Sequence, residues 1–188
     1  VGVNGFFSGE SQQSQNHLNG SVEASRVSEK WKFRTGFEMS RSHSSFQLEE
    51  EEFKSTTKSY EMGGLLIRSL SGQWSLGLEM TGGRSTRENY DLLLKVEPGL
   101  EYNVFPYAQS SRRQVVFIYS IGFNYENYRD STIYHRLSHT RPAHRFTIAG
   151  SATQPWGRLE ARLVASTYLN DWSKNRISMF AFGEWRIL

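Results

Sequence analysis

The sequence predicts an all-β fold in which about ten antiparallel strands follow one another in chain order. The main observation is that apolar and polar residues alternate over ten or more positions at a time, most clearly in residues 31–40. Side chains of a strand alternate between its two faces, so one face there reads Trp, Phe, Thr, Phe, Met and the other reads Lys, Arg, Gly, Glu, Ser. Aromatic residues make up 14% of the chain, and 16 glycines accompany only 4 prolines. No segment shows a period of about 3.6 residues, so no helix is predicted.

The alternation defines ten strand segments that are longer than the usual five or six residues of a soluble strand, about as long as a tilted strand needs to cross a bilayer. In chain order they are 1–8, 18–26, 31–41, 58–70, 73–84, 89–105, 113–126, 144–153, 157–169 and 176–188. Short connections are expected near 27–30, 71–72, 106–112 and 154–156. The longer connections, 9–17, 42–57 and 127–143, share the other side with 85–88 and 170–175. Short turns on one side and long loops on the other are typical of outer-membrane barrels.

Charged residues occupy the second face of strand after strand. A soluble barrel keeps its apolar face inside, whereas a barrel with its apolar face outward lies in lipid around a polar lumen. The sequence therefore predicts an up-and-down transmembrane β-barrel with a narrow lumen in which opposite charges pair. The alternative is a soluble protein whose charged face is its solvated exterior. The predicted lumen charges are Lys32, Arg34, Glu38, Glu79, Lys95, Glu97, Glu101, Arg158, Glu160, Arg162, Glu184 and Arg186.

Tryptophan and tyrosine residues collect at the two ends of the apolar face. Amphipathic rings prefer the lipid–water interface, so two aromatic girdles are predicted. Trp31, Trp74 and Tyr102, with Trp156 in a turn, form the girdle at the short-turn end, and Tyr60, Tyr90 and Tyr125 form the girdle at the long-loop end. The alternative interpretation is that these rings are ordinary aromatic residues of a protein core.

Composition excludes several classes of function. The 22 basic and 19 acidic residues leave a net charge of +3, which is too mild and too dispersed for a nucleic-acid partner. The absence of cysteine excludes disulfides, thiol catalysis and cysteine-ligated metals. No apolar run approaches 18 residues, and the mean hydropathy of −0.57 is compatible with strands that are half polar. We expect one barrel domain over residues 1–188, truncated at one or both ends.

The histidines are the remaining candidates for chemistry. His135, His139 and His144 follow Asp130 in or beside the 127–143 connection, and His17 lies in another. A nucleophile such as Ser131 or Ser138, held against one of these histidines with Asp130 or Glu126 behind it, would make this loop a hydrolytic site. The arginines nearby would repel a cation, so no metal and no cofactor is expected. The simplest interpretation is that these histidines are solvated loop residues, and no catalysis is predicted. The acidic run Glu49–Glu52 is a candidate for holding divalent cations at a lipopolysaccharide surface, although such runs are usually only solvated.

Turn and girdle motifs carry a family resemblance over roughly residues 20–188. Glu97–Asn103 with Phe105-Pro106-Tyr107, and Gln154–Gly157 followed by Tyr168–Asp171, resemble uncharacterised outer-membrane barrels of Gram-negative bacteria, distantly like the salt-induced outer-membrane protein group. The resemblance implies a porin-like barrel in the outer membrane, in contact with lipid and lipopolysaccharide, but no active site. Such barrels usually end on a terminal aromatic that the barrel-assembly machinery reads, whereas this chain ends Glu184–Leu188. We therefore expect one or two closing strands to be missing, for a total of up to twelve, because lipid does not tolerate an open edge.

The predicted function is a structural or narrow-channel role in the outer membrane. Two alternatives stay open. One is a lipid-modifying or hydrolytic outer-membrane enzyme that uses the 127–144 loop, and the other is a soluble periplasmic ligand-binding barrel.

Overall fold

The computed structural model describes residues 2–10, 13–48 and 51–185, which form one antiparallel sheet of ten strands. The order in the sheet is the order in the chain, so each strand pairs with the next one. The strands are β1 (Gly2–Glu10), β2 (Gln13–Val27), β3 (Trp31–Leu48), β4 (Glu51–Ser69), β5 (Trp74–Ser85), β6 (Tyr90–Asn103), β7 (Arg113–Tyr128), β8 (Ser138–Gln154), β9 (Gly157–Tyr168) and β10 (Asp171–Trp185). The predicted all-β, up-and-down antiparallel arrangement is confirmed. Within the described residues, no helix is long and apolar enough to cross a membrane.

The sheet has two edges. Over the described ranges, β1 pairs with β2 alone and β10 pairs with β9 alone. An edge strand leaves one side of its backbone amide and carbonyl groups without strand partners. Closure into a complete barrel therefore stays a prediction.

Several strands are longer than the alternation predicts. The segment 42–57, predicted as a loop, forms the outer part of the β3–β4 hairpin, with Ser44 opposite Ser55 and Phe46 opposite Phe53. Likewise β2 begins at Gln13 and β8 at Ser138. Apart from Phe46 and Phe53, these extensions are mostly polar and so lack a sustained apolar alternation, but pairing with a neighbouring strand satisfies their backbone groups.

The connection between β6 and β7 contains a single 3-10 turn, Tyr107–Gln109, where the sequence suggests only a short turn. The Tyr107 amide donates to the carbonyl oxygen of Gly72 at 3.2 Å, which ties this connection to the one between β4 and β5. The 3-10 turn therefore lies across the short-turn end of neighbouring strands.

The register defines two faces. Glu38 stands opposite Glu61, and Glu79 stands opposite Glu97, so these carboxylates lie on one face, which we call the polar face; Phe33, Leu66, Leu78 and their equivalents lie on the other, the apolar face. The buried residues within the strands lie on the polar face, apart from Gly157 at the start of β9. They are Ser75, Ser85, Leu93, Asn103, Val116, Ser120, Gly122 and Thr147.

The apolar face is the uncovered one. Leu76 is 49% exposed and Leu94 45%, and Trp31, Phe33, Phe37, Ile121 and Leu163 are exposed as well. Leu78, Phe117 and Ile148 are half-buried, because side chains of neighbouring strands on the same face cover them in part. The buried residues of the polar face are therefore mostly small or polar, with Leu93 and Val116 among them, while the large side chains of the apolar face stay exposed or half-buried.

Candidate functional site

The predicted lumen charges share the polar face. Register and alternation place Lys32, Arg34, Glu38, Glu79, Lys95, Glu97, Glu101, Arg158, Glu160, Arg162 and Glu184 there. Arg186 lies outside the described residues. Glu97, Glu101 and Glu160 are half-buried, and the other members of this set are exposed. The polar face therefore offers charged groups that water can reach.

Ion pairing on this face is local and incomplete. Arg34 Nε lies 3.6 Å from Glu23 Oε1 on the adjacent strand, and Arg158 pairs with Glu160 along its own strand. Glu38 directly faces Glu61, and Glu79 directly faces Glu97, although like charges at such positions repel. The general pairing of opposite charges that the sequence predicts is found at only some of these positions.

Glu97 lies at the centre of the best-packed polar cluster. The Ser120 hydroxyl donates to Glu97 Oε1 at 2.5 Å, and Arg145 Nη2 lies 3.2 Å from Glu97 Oε2. Gly122 lies beside this carboxylate, and a Cβ added there would make an ordinary contact 3.4 Å from Glu97 Oε2. Ser120 on β7 thus binds a carboxylate of β6 that also reaches a guanidinium of β8.

A second cluster closes the short-turn end of the polar face. The Tyr107 hydroxyl lies 2.9 Å from both Ser75 Oγ and Glu101 Oε1, and Lys32 Nζ lies 5.6 Å from the centre of the Tyr107 ring. Ser75 and Asn103 are the most buried side chains of the described protein, each 1% exposed. Burial raises the pKa of the Tyr107 phenol; the hydrogen bond with Ser75 opposes this, and the charge of Glu101 adds to it. Sequence analysis missed this residue because it treated 106–112 as a plain turn; an aromatic residue after Pro106 in the longest connection on this side was the available signal.

Most of the predicted girdle residues lie at the ends of strands. Trp31 and Trp74 are exposed on the apolar face, Trp74 packs 4.8 Å from Tyr102 between ring centres, and Trp156 is exposed in its turn. Tyr125 is exposed on the same face near the opposite end of β7. Tyr60 is exposed on this face as well, but it lies in the middle of β4, because that strand begins at Glu51 rather than near residue 58. Tyr90 differs, because the register of β6 shifts between Tyr90 and Leu92 and leaves it opposite Ser85 and Tyr128 on the polar face.

The candidate serines and histidines of the β7–β8 connection make hydrogen bonds with other groups. The Ser131 hydroxyl donates to the Thr132 carbonyl oxygen, and the Asp130 amide and carbonyl are both bonded to the Asn89 side chain. His135 adopts a φ of 55°, and His139 lies beside Arg136. None of the hydrogen bonds found among the described residues joins Ser131 or Ser138 to a histidine.

The other two candidate histidines, His144 and His17, also have other surroundings. His144 packs on the apolar face between Tyr119 and Trp172, with ring centres 5.9 and 5.3 Å away. His17 is bonded to Asn19 at 2.8 Å. Across the described part of the chain, no group of three or more histidine, aspartate and glutamate side chains is placed to hold a metal ion. The acidic run Glu49–Glu52 falls partly on residues outside the described ranges, so its predicted role is not addressed.

Comparison with known proteins does not assign the chain to a family. No protein-family model matches the chain, and no curated protein sequence is significantly similar to it.

Proposed function

We propose that this protein is an integral outer-membrane β-barrel with a structural or narrow-channel role and a polar interior. The observation that carries the proposal is the inverted burial of the sheet. Its buried strand residues lie on the polar face, while Leu76, Leu94 and the aromatic residues of the apolar face stay exposed. A soluble protein that exposed so much contiguous apolar surface would aggregate, whereas a hydrocarbon environment accepts it.

The dimensions of the apolar face support a membrane location. On β6 this face runs from Leu92 to Tyr102, about ten residues, or about 33 Å along a strand. At the tilt of about 40° that is common in membrane barrels, this length corresponds to about 25 Å along the membrane normal, which is the height of a lipid-facing band. Aromatic residues at both strand ends fit the two interfaces. Lipid and lipopolysaccharide are accordingly the proposed contacts of the apolar face, and the barrel-assembly machinery is the proposed partner during insertion.

The polar face supports a narrow route rather than a wide pore. Tyr107 and its partners fill the short-turn end, while two open cavities of about 410 and 470 Å³ adjoin Glu38, Glu61 and Glu79 farther along. Adding a Cβ at Gly63 would meet no atom within 4 Å, so the interior beside these carboxylates is not filled by side chains. Water and small solutes therefore have space on this face beside the carboxylates, while Tyr107 and its partners occupy the short-turn end.

Spin labelling tests the membrane assignment, because the chain contains no cysteine to remove. Leu94→Cys and Lys95→Cys place labels on adjacent residues with opposite faces. In reconstituted vesicles, we expect the label at 94 to be relaxed by oxygen, which concentrates in lipid, and the label at 95 to be relaxed by a water-soluble nickel chelate. Equal access of the chelate to both labels would contradict the proposal.

A further inference from the structure

Acidic residues collect at mid-height on one part of the polar face. Glu38, Glu61 and Glu79 lie near the middle of β3, β4 and β5, and all three are exposed. Among the described ion pairs, none involves these three carboxylates. Gly63 and Gly83 lie on the same face and have no side chains that could cover these carboxylates. The three carboxylates therefore project into open space with their charge uncompensated by close partners.

Basic residues occupy the same level on the other part of the polar face. Arg145, Arg162 and Arg176 lie near the middle of β8, β9 and β10 and are exposed. Arg145 and Arg176 both stand opposite Ser166, one from each side, so they form one row across the three strands. A cavity of about 430 Å³ opens beside Arg145, Lys174 and Arg176. Of the acidic residues of β9 and β10, Glu160 and Glu184 lie nearer the short-turn end, and Asp171 at the other end of β10 pairs with Lys174.

In the closed barrel that we propose, the strand order would set the two patches against each other. Five strand steps separate β4 from β9, which is about half the circumference of a barrel of ten to twelve strands. Between the patches, Glu97 on β6 pairs with Arg145, so Arg162 and Arg176 are the members of the basic patch without a close carboxylate among the described ion pairs. In a closed interior, the carboxylates of β3–β5 would face the guanidiniums of β8–β10, and low-dielectric walls would strengthen the field between them.

We infer that the interior selects small zwitterionic solutes, which carry an ammonium and a carboxylate at opposite ends. Such a solute aligns its ammonium with Glu38, Glu61 and Glu79 and its carboxylate with Arg162 and Arg176. A simple cation or anion is attracted to one patch and repelled by the other, and a neutral sugar gains little from either. This inference rests on the proposed channel role and names the class of solute for it.

Uptake into proteoliposomes tests the inference. The probes are diglycine and a neutral pentose of similar size, and their rates of entry are compared for the unsubstituted protein and for the variants E38Q/E61Q and R162Q/R176Q. We expect diglycine to enter several-fold faster than the pentose, and each double variant to bring the ratio close to one while pentose entry is unchanged. The matched control, E29Q/R129Q, removes one charge of each sign from exposed connections and should keep the ratio.

Three outcomes separate the possibilities. Equal entry of both probes into vesicles of the unsubstituted protein overturns the inference and leaves the channel proposal standing. Entry of neither probe, with spin labels reporting insertion, overturns both the channel role and the inference but not the membrane barrel. If a double variant fails to fold, as judged by circular dichroism, the single variant Arg176→Gln at the edge strand replaces it, and an unchanged ratio there overturns the inference.

Discussion

Removal of the Tyr107 hydroxyl is the sharpest test of how the short-turn end is held together. Tyr107→Phe keeps the ring and its packing but deletes one oxygen, which lies 2.9 Å from Ser75 Oγ and 2.9 Å from Glu101 Oε1. Hydrogen bonds to charged groups contribute about 1.5–3 kcal/mol. Ser75 is almost fully buried and keeps only a contact of 3.4 Å with Glu101, so water does not easily replace the lost partner. We expect the free energy of unfolding to fall by about 2 kcal/mol.

Urea unfolding in lipid vesicles, followed by tryptophan fluorescence, measures this change. The matched control is Tyr134→Phe, because Tyr134 is 76% exposed in the connection between β7 and β8. A loss of the same size in both variants would refute the reasoning, since Tyr107 would then contribute no more than a solvated tyrosine.

The pH dependence of stability gives the same contact a second readout. The pKa of Tyr107 is raised above its ordinary value of 10.0, chiefly by burial, so the folded state holds the phenol proton more tightly than the unfolded state. The stability that follows from this difference is fully present below pH 10 and is lost as the pH rises from there through the folded pKa. Tyr107→Phe should therefore lose stability less steeply than the unsubstituted protein above pH 10. Parallel alkaline curves would contradict this assignment.

Three further changes probe the two faces and their connections. Leu78→Arg, in the middle of the apolar face, should lower the free energy of unfolding in lipid by about 2–4 kcal/mol. Gly63→Arg, on the open polar face, should lower it clearly less. Equal losses in urea titrations would count against the two-face arrangement. Gly157→Ala should lower the free energy of unfolding by about 2 kcal/mol or more, because Gly157 has a φ of 153° and an added Cβ would lie 2.0 Å from the Glu184 carbonyl oxygen. Its control, Gly63→Ala, should be nearly neutral in the same titration. A double-mutant cycle with Glu97→Gln and Arg145→Gln should show a coupling of about 1 kcal/mol, and purely additive losses would mean that the 3.2 Å contact contributes nothing.

The alternation of residue types was sufficient to predict which residues share a face. Trp31, Phe33 and Phe37 share one exposed face, because a spacing of two places them on the same side once β3 is a strand. The same rule could not predict the outer half of the β3–β4 hairpin, where serines and threonines occupy both faces and only backbone pairing reveals the strand. It also failed at Tyr90, because a single register shift moves every residue beyond it to the other face.

Which polar-face residues are buried was decided only by tertiary structure. Alternation alone predicts that Ser75 is a solvated position of the polar face, where Ser75→Arg would destabilise the protein less than Leu78→Arg. In the fold, Ser75 is 1% exposed beneath Tyr107. Tyr107 lies 32 positions later in the chain, in a segment that the sequence predicts to be a turn. The contacts of Glu97 with Ser120 and Arg145 likewise join three strands. The sequence by itself determined the strands, their order and their two faces, because these depend on local periodicity. The polar clusters depend on the register between strands and on where a connection folds back, and no local pattern encodes either of these.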